Sequence, residues 1–394
     1  MKHHIHIAFM LLATLASCAG APAERGAGAN QTAAAASRLL DAGDFSGAIE
    51  LLQPAVTEHP RDALMLSQLG EAYWRIGDYA AALNYFESSL RVDYSDYRTH
   101  MLLAQMLIEQ GKSGRALTEF KLAAEFGSHK ALPHYNYGLA LFRLGRRDAA
   151  LEEWQRAYRL EPDNPVYAAA LGMAYAGIDD GEALSFFEKA AALGNEDPQF
   201  HHNFGVLLER LGEYGRAEEQ FRSALDGAPG NGEYLFSLAA LHMKRAEWET
   251  AIPLWERMAA KEPANRTVRT YQAKAALELG RYGEAAAALD TVIGEWEASG
   301  DPAGARAAKG PPLDQALDIL AMAYRGLEQW ERSLRCIEKA VELAPASTAH
   351  RNNYGVILAG NGMIDRAIEQ WERVLELDPA NEIALRNLAA YRKR

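Results

Sequence analysis

The chain has 394 residues, 49% of them hydrophobic, and a formal net charge of −12. Its 53 acidic against 41 basic side chains argue against nucleic acid as a partner, because phosphate binding needs a basic field. A chain of this length ordinarily means two or three globular domains, and no stretch after residue 20 has the long uncharged apolar run of a membrane span.

Residues 1–18 differ from everything after them. Lys2 is the only formally charged side chain there, and Ile5 to Ser17 is an apolar run with small residues near its end. Such a run is too short to cross a bilayer and has the form of an export signal, although three His and one Lys make its start only weakly basic. The ending Leu15-Ala16-Ser17-Cys18 resembles the lipobox of bacterial lipoproteins. That resemblance implies a signal peptide over 1–17 and a diacylglycerol group on the Cys18 thiol. The Cys18 residue would then be the mature N-terminus. Ala19, where Asp would favour retention at the inner membrane, implies an outer-membrane anchor facing the periplasm. Residues 18–32 are rich in Ala and Gly, contain Pro22 and lack an apolar period, so they read as a flexible tether. Its fourteen residues after the cysteine reach at most ~50 Å.

Beyond the tether the chain repeats. A small residue recurs at Ala36, Gly70, Ala104, Gly138, Gly172, Gly205, Ala239, Ala273, Ala321 and Gly355. A second small series runs Ala48, Ala82, Ala116, Ala150, Ala183, Ala217, Ala251, Ala285, Ser333 and Ala367. A large series follows it: Leu52, Phe86, Phe120, Trp154, Phe187, Phe221, Trp255, Leu289, Ile337 and Trp371. The step is 34 residues except for one of 33 and one of 48. Within a unit the pattern is two helices. In the last, Tyr354, Ile357 and Leu358 share one helical face, Gly362 stops that helix, Ala367, Trp371, Val374 and Leu375 share the next face, and Pro379 ends it. Small residues let two backbones approach, and the large residue fills the space beside them.

These positions resemble the tetratricopeptide repeat family, whose 34-residue unit carries Gly, Tyr, Ala, Phe, Ala and Pro. The resemblance covers residues 29 to 381. It implies an all-α right-handed superhelical solenoid of about ten helix-turn-helix repeats, repeats 1–8 over 33–299 and repeats 9–10 over 314–381. Residues 382–394, with Ile383, Leu385, Leu388 and Tyr391 on a helical pattern and a basic end, read as a capping helix. The short step falls in the turn of the fifth unit, GIDDG. The long step falls at 300–313, where Pro302, Pro311 and Pro312 read as a loop or hinge insertion.

No H-E-x-x-H, G-x-x-x-x-G-K, C-x-x-C or G-x-S-x-G is present, so nothing in the sequence points to an enzyme, a cofactor or a metal. His201 and His202 are adjacent and point to different sides of a helix. Cys336 beside Ile337 reads as a small buried hydrophobe. What remains is the face made by the first helix of each unit, which in the resembling family lines the concave surface. Its middle is apolar at Tyr135, Leu139, Phe142, Met173, Val206, Phe236 and Met243. Amides recur at repeat position 6, in Gln68, Asn136, Asn203 and Asn353; related arrays use Asn there to hold an extended peptide. Cations recur at position 13, in Arg75, Arg143, Arg210 and Lys244. These residues form a candidate peptide groove, although a cation there also suits a helix C-terminus. The expected function is a lipid-anchored envelope scaffold for protein partners, with membrane contact only through the lipid. A role in assembling a secretion, pilus or polysaccharide-export machine fits that expectation, and a periplasmic holder of exported chains is the alternative. The oligomeric state is left open.

Overall fold

The computed structural model describes residues 27–299 and 311–392; the expected signal peptide, Cys18 and most of the expected 300–313 insertion lie outside the described residues. The chain divides into two compact units, Met1–Leu211 and Gly212–Arg394.

The described part of the first unit is helical throughout: α1 (Ala27–Asp41), α2 (Phe45–Glu58), α3 (Ala63–Arg75), α4 (Tyr79–Val92), α5 (Tyr97–Glu109), α6 (Ser113–Phe126), α7 (Ala131–Arg143), α8 (Arg147–Leu160), α9 (Pro165–Tyr175), α10 (Asp180–Ala192) and α11 (Pro198–Arg210). Successive helices pair as the 34-residue period predicts. Asp44, Asp62, Asp78 and Asp96 start α2 to α5, each carboxylate accepting a backbone N–H of the first turn. The turn between paired helices passes through positive φ, as at Gly77 (86°) and Gly145 (73°).

The periodic residues are the core. Ala48, Ala82, Ala116, Ala150 and Ala183 are fully buried, and Leu52, Phe86, Phe120, Trp154 and Phe187 fill the space beside them. Each such side chain contributes on the order of 1.5–3 kcal/mol of apolar burial. The glycine series faces these rings directly: a Cβ at Gly138 would lie 2.6 Å from Trp154 Cδ1, and one at Gly70 2.8 Å from Phe86 Cδ1. The indole of Trp154 lies over Gly138 and its Nε1–H donates to the Tyr135 carbonyl at 3.0 Å.

One boundary differs from expectation. Helix α1 begins at Ala27, inside the stretch read as tether. Alanine has the highest helix propensity, and Ala29, Ala33 and Ala36 bury against Leu52, Met65 and Leu69, so the alanine run is a packed helix.

The second unit holds α12 (Tyr214–Gly227), α13 (Gly232–Lys244), α14 (Trp248–Lys261), α15 (Arg266–Glu278), α16 (Tyr282–Ser299), α17 (Leu313–Gly326), α18 (Trp330–Leu343), α19 (Thr348–Gly360), α20 (Ile364–Leu377) and α21 (Glu382–Tyr391). Trp371 repeats the arrangement of Trp154, donating to the Asn352 carbonyl at 3.3 Å across Gly355. Trp255 does not. Ala239 stands where those units have glycine, and the buried Trp255 Nε1 has no acceptor. Two turns also lack the expected glycine: Ala246 (φ 58°) and Glu328 (φ 59°) hold the left-handed conformation at a cost of roughly 1 kcal/mol each.

The helices flanking the long step pack directly on each other. The Tyr282 ring at the start of α16 lies against Gly326 at the end of α17, and the Tyr324 hydroxyl donates to Asp290. Arg332 lies 4.1 Å above the Tyr324 ring. Cys336 is half-buried at the edge of this core, not enclosed in it as expected, because α18 turns its Ile337 and Ser333 inward instead.

Candidate functional site

The four amides at repeat position 6 have different environments. Gln68 is 5% exposed, and its Nε2 donates to the Ala33 carbonyl at 2.9 Å and to Ser37 Oγ at 2.8 Å. It fastens α3 to α1. Asn203 is 3% exposed; its Nδ2 lies 3.1 Å from Met173 Sδ, and its Oδ1 accepts from Gln199 Nε2 at 3.2 Å. In the second unit, Asn353 donates to both oxygens of Asp318, at 3.0 and 2.9 Å. The Nδ2 or Nε2 of each of these three amides is used between helices, although the buried Gln68 Oε1 accepts nothing. Asn136 is as buried, at 3% exposed, but among the described residues its side chain has no hydrogen-bond partner. It faces a small, open-mouthed hollow lined by Ile108, Phe120, Leu139, Ala140 and Arg143.

The position-13 cations also divide. Arg210 is committed to Asp180, which its Nε meets at 2.8 Å and which also accepts from Gly177 N at 2.8 Å. The missing residue of the fifth turn places Asp180 there. Arg75 lies over the Trp74 ring at 4.5 Å and 3.6 Å from Glu71. Lys244, in the second unit, lies 5.0 Å above the Tyr214 ring. Arg143 is exposed at the rim of the hollow.

Around Asn136 the apolar candidates are gathered on one helix and its neighbour. Tyr135, Leu139, Phe142 and Met173 belong to one cluster with Trp154 and Leu171. The Phe142 ring centroid lies 5.2 Å from that of Trp154. Burial pushes the Tyr135 phenol up to about 12, so it is a neutral hydroxyl at any working pH. Val206 is half-buried on α11. Phe236 and Met243 lie in a separate cluster of the second unit, where Phe236 meets Trp255 and Tyr271 edge-on at 5.3 and 5.9 Å. The sequence read one continuous set. The structure brings together Tyr135, Asn136, Leu139, Phe142 and Arg143, adds Ile108 and Phe120, and leaves Gln68, Asn203, Arg210 and Asn353 as fasteners between helices. Ile108 sits at position 12 of its repeat, a face position visible in the sequence; what it lines was not.

Among the described residues one cluster has metal-ligand types: Glu218, His242 and Glu247. Its carboxylates are already engaged. Glu218 meets Arg222 and Arg245 at 2.8 Å each, and Glu247 meets Arg245 and His242 Nδ1 at 2.7 Å each. Two guanidinium groups balance the two carboxylates and leave a divalent cation no charge to neutralise. No helix of the described residues is long and apolar enough to cross a membrane.

Tetratricopeptide repeat profiles match residues 33–83, 67–131, 131–164 and 320–382, and a profile described as the middle TPR-like domain of cilia and flagella-associated protein 70 matches residues 174–344. The BBSome complex member BBS4 of Bos taurus is 24% identical over 215 residues, which cover 46% of this chain and 41% of that protein. The TPR repeat-containing protein YpiA of Bacillus subtilis (strain 168) is 23% identical over 226 residues, covering 55% and 52%. The chain thus spans about half the length of these curated relatives, or less. Among solved structures, PilW, described as a widely conserved type IV pilus biogenesis factor, aligns at TM-score 0.48 and 18% identity over 53% of this chain and 97% of its own.

Proposed function

We propose that this chain, which belongs to the tetratricopeptide repeat family, is a lipid-anchored scaffold of the bacterial envelope that holds a protein partner on the α7 face of its first unit. The family assignment and the helical stack support protein–protein interaction as the general role. The observation that carries the site is Asn136. Asn136 makes no hydrogen bond within the described residues, so its amide is open to a ligand at the edge of an apolar hollow and beside an exposed arginine. A peptide segment would satisfy the amide through its backbone and lay an apolar side chain over the mouth of the hollow at Ile108 and Leu139.

The envelope assignment rests on the sequence. Leu15-Ala16-Ser17-Cys18 supports lipidation of Cys18, and Ala19 supports an outer-membrane anchor facing the periplasm. One acyl chain binds membranes marginally, and two or three hold firmly. An anchored scaffold of this kind serves the assembly of a secretion, pilus or polysaccharide-export machine.

Two measurements test the reading. Intact-mass analysis of the purified protein is expected to find a lipid-modified Cys18 at its N-terminus; an unmodified N-terminus elsewhere removes the anchor. Crosslinking in intact envelopes is expected to recover a stoichiometric partner that Asn136→Ala loses, with binding weakened by ~1–3 kcal/mol and the melting temperature nearly unchanged. A folded Asn136→Ala variant that captures the partner normally moves the site off α7.

A further inference from the structure

The turns that end α5 and α7 carry positive charge in a chain whose net charge is −12. Lys112 and Arg115 stand at the start of α6, and Arg143, Arg146 and Arg147 surround the start of α8. Ile108, at the end of α5, and Arg143, at the end of α7, border the same hollow, so the two turns lie side by side. Lys112 and Arg146 are exposed and, among the described residues, have no carboxylate partner. Both occupy the N-cap position, and neither α6 nor α8 has a side-chain cap, whereas α2 and α4 are capped by Asp44 and Asp78. Two uncapped helix starts thus add their partial positive charge to that of the side chains.

Of the nearby carboxylates, Glu109, Asp179 and Asp180 are engaged elsewhere, and Glu87 lies beside Arg115. Glu109 accepts from Trp74 Nε1 at 2.7 Å, towards the second repeat. Glu87 lies 3.7 Å from Arg115, with both side chains about half exposed. In the next turn Asp179 caps α10 and Asp180 binds Arg210. Asp148 and Glu182 are exposed on α8 and α10. The Arg147 guanidinium lies 5.6 Å over the Phe142 ring, and Leu144 between the cations is 48% exposed.

We propose that these two turns and the hollow beside them form the docking site of an acidic, apolar segment of a protein partner. The proposal rests on the α7 face being the partner-binding surface, and it names the partner's chemistry. An apolar side chain lies over the mouth of the hollow at Ile108 and Leu139, its backbone pairs with Asn136, and neighbouring Asp or Glu residues meet Arg143, Lys112 and Arg146. The acidic turn of the fifth repeat bounds the basic patch on one side and repels an acidic segment laid past it, which fixes the direction of approach. A lipid surface is the less favoured occupant, since the patch is narrow and its centre is an amide in an apolar hollow.

The test selects short random displayed peptides on the full-length chain. Enriched peptides are expected to place Asp or Glu next to an apolar residue and to bind more weakly at raised salt. They should lose about tenfold or more in affinity for Lys112→Glu with Arg146→Glu, while that variant melts like the parent. Peptides without acidic bias, or indifferent to the charge reversal, overturn the proposal. If Asn136→Ala still abolishes them, the α7 reading survives without its charged component. Enrichment of nothing overturns both. Flotation with phosphatidylglycerol vesicles, abolished by the same charge reversal while no acidic peptide is enriched, assigns the turns to lipid and also overturns the proposal.

Discussion

Three tryptophans fill the same place in three repeats, and one residue opposite decides how each is satisfied. Trp154 and Trp371 face glycine and donate to a backbone carbonyl; Trp255 faces Ala239 and its buried N–H has no acceptor. Trp255→Phe therefore loses ring area but also removes an unpaired donor. Trp154→Phe loses a hydrogen bond as well as area. Chemical denaturation is expected to find Trp154→Phe more destabilising than Trp255→Phe by about 1 kcal/mol. The first unit's histidines form a second contrast. His100 is buried between Glu119 at 2.7 Å and the Tyr94 carbonyl at 2.9 Å. Burial opposes its charge, but these acceptors outweigh it and raise its pKa. Burial of His202 pushes its pKa down to about 4. The signs are opposite. The stabilisation from His100 is complete below the ordinary imidazole value of about 6.5 and is lost as pH rises through the raised value. For His202 the folded state resists protonation, so stability is complete above about 6.5 and falls as pH drops towards 4. His202→Gln should flatten the acid limb of the melting temperature against pH, and His100→Gln the alkaline limb.

At the scale of elements, what matters is how one helix is fastened to the next. Gln68 ties α3 to α1 and Asp180 ties the short fifth turn to α11, whereas Asn136, at the same position as Gln68, ties nothing. Gln68→Ala is expected to lower stability by ~1–2 kcal/mol, while Asn136→Ala changes binding and leaves the melt in place. Arg210→Ala should cost no more than about 1 kcal/mol, since the pair is part-exposed and solvent-screened. The guanidinium and the Gly177 N–H depress the Asp180 pKa against burial. Its contribution is therefore present above the ordinary carboxylate value of about 3.9 and is lost as pH falls through the depressed one. A melting temperature of Arg210→Ala equal to the parent's at pH 7 would show the ion pair to be idle.

At the scale of the molecule, stability within each unit is distributed from repeat to repeat, because each helix pair buries its apolar face chiefly against its sequence neighbours. Calorimetry is expected to give a van't Hoff enthalpy well below the calorimetric one, since the chain unfolds in segments. Equality of the two would mean that all repeats melt as one.

The period of 34 residues, the all-α class and the core were legible in the sequence because each depends on local spacing. The same small and large residues recur, and the same packing follows. The start of α1 was missed because an Ala-rich run reads equally as tether or helix until its neighbours are in place. The candidate site was legible only as a list of face positions. Gln68, Asn136, Asn203 and Asn353 share a repeat position. Whether an amide is used depends on what the first helix of the preceding repeat presents to it: Ser37 and the Ala33 carbonyl for Gln68, Met173 for Asn203, Asp318 for Asn353, and an apolar hollow for Asn136. Those contacts join residues about thirty or more apart in the chain. Sequence periodicity reports which face a side chain is on, and only tertiary packing decides whether its polar atoms are already paired there.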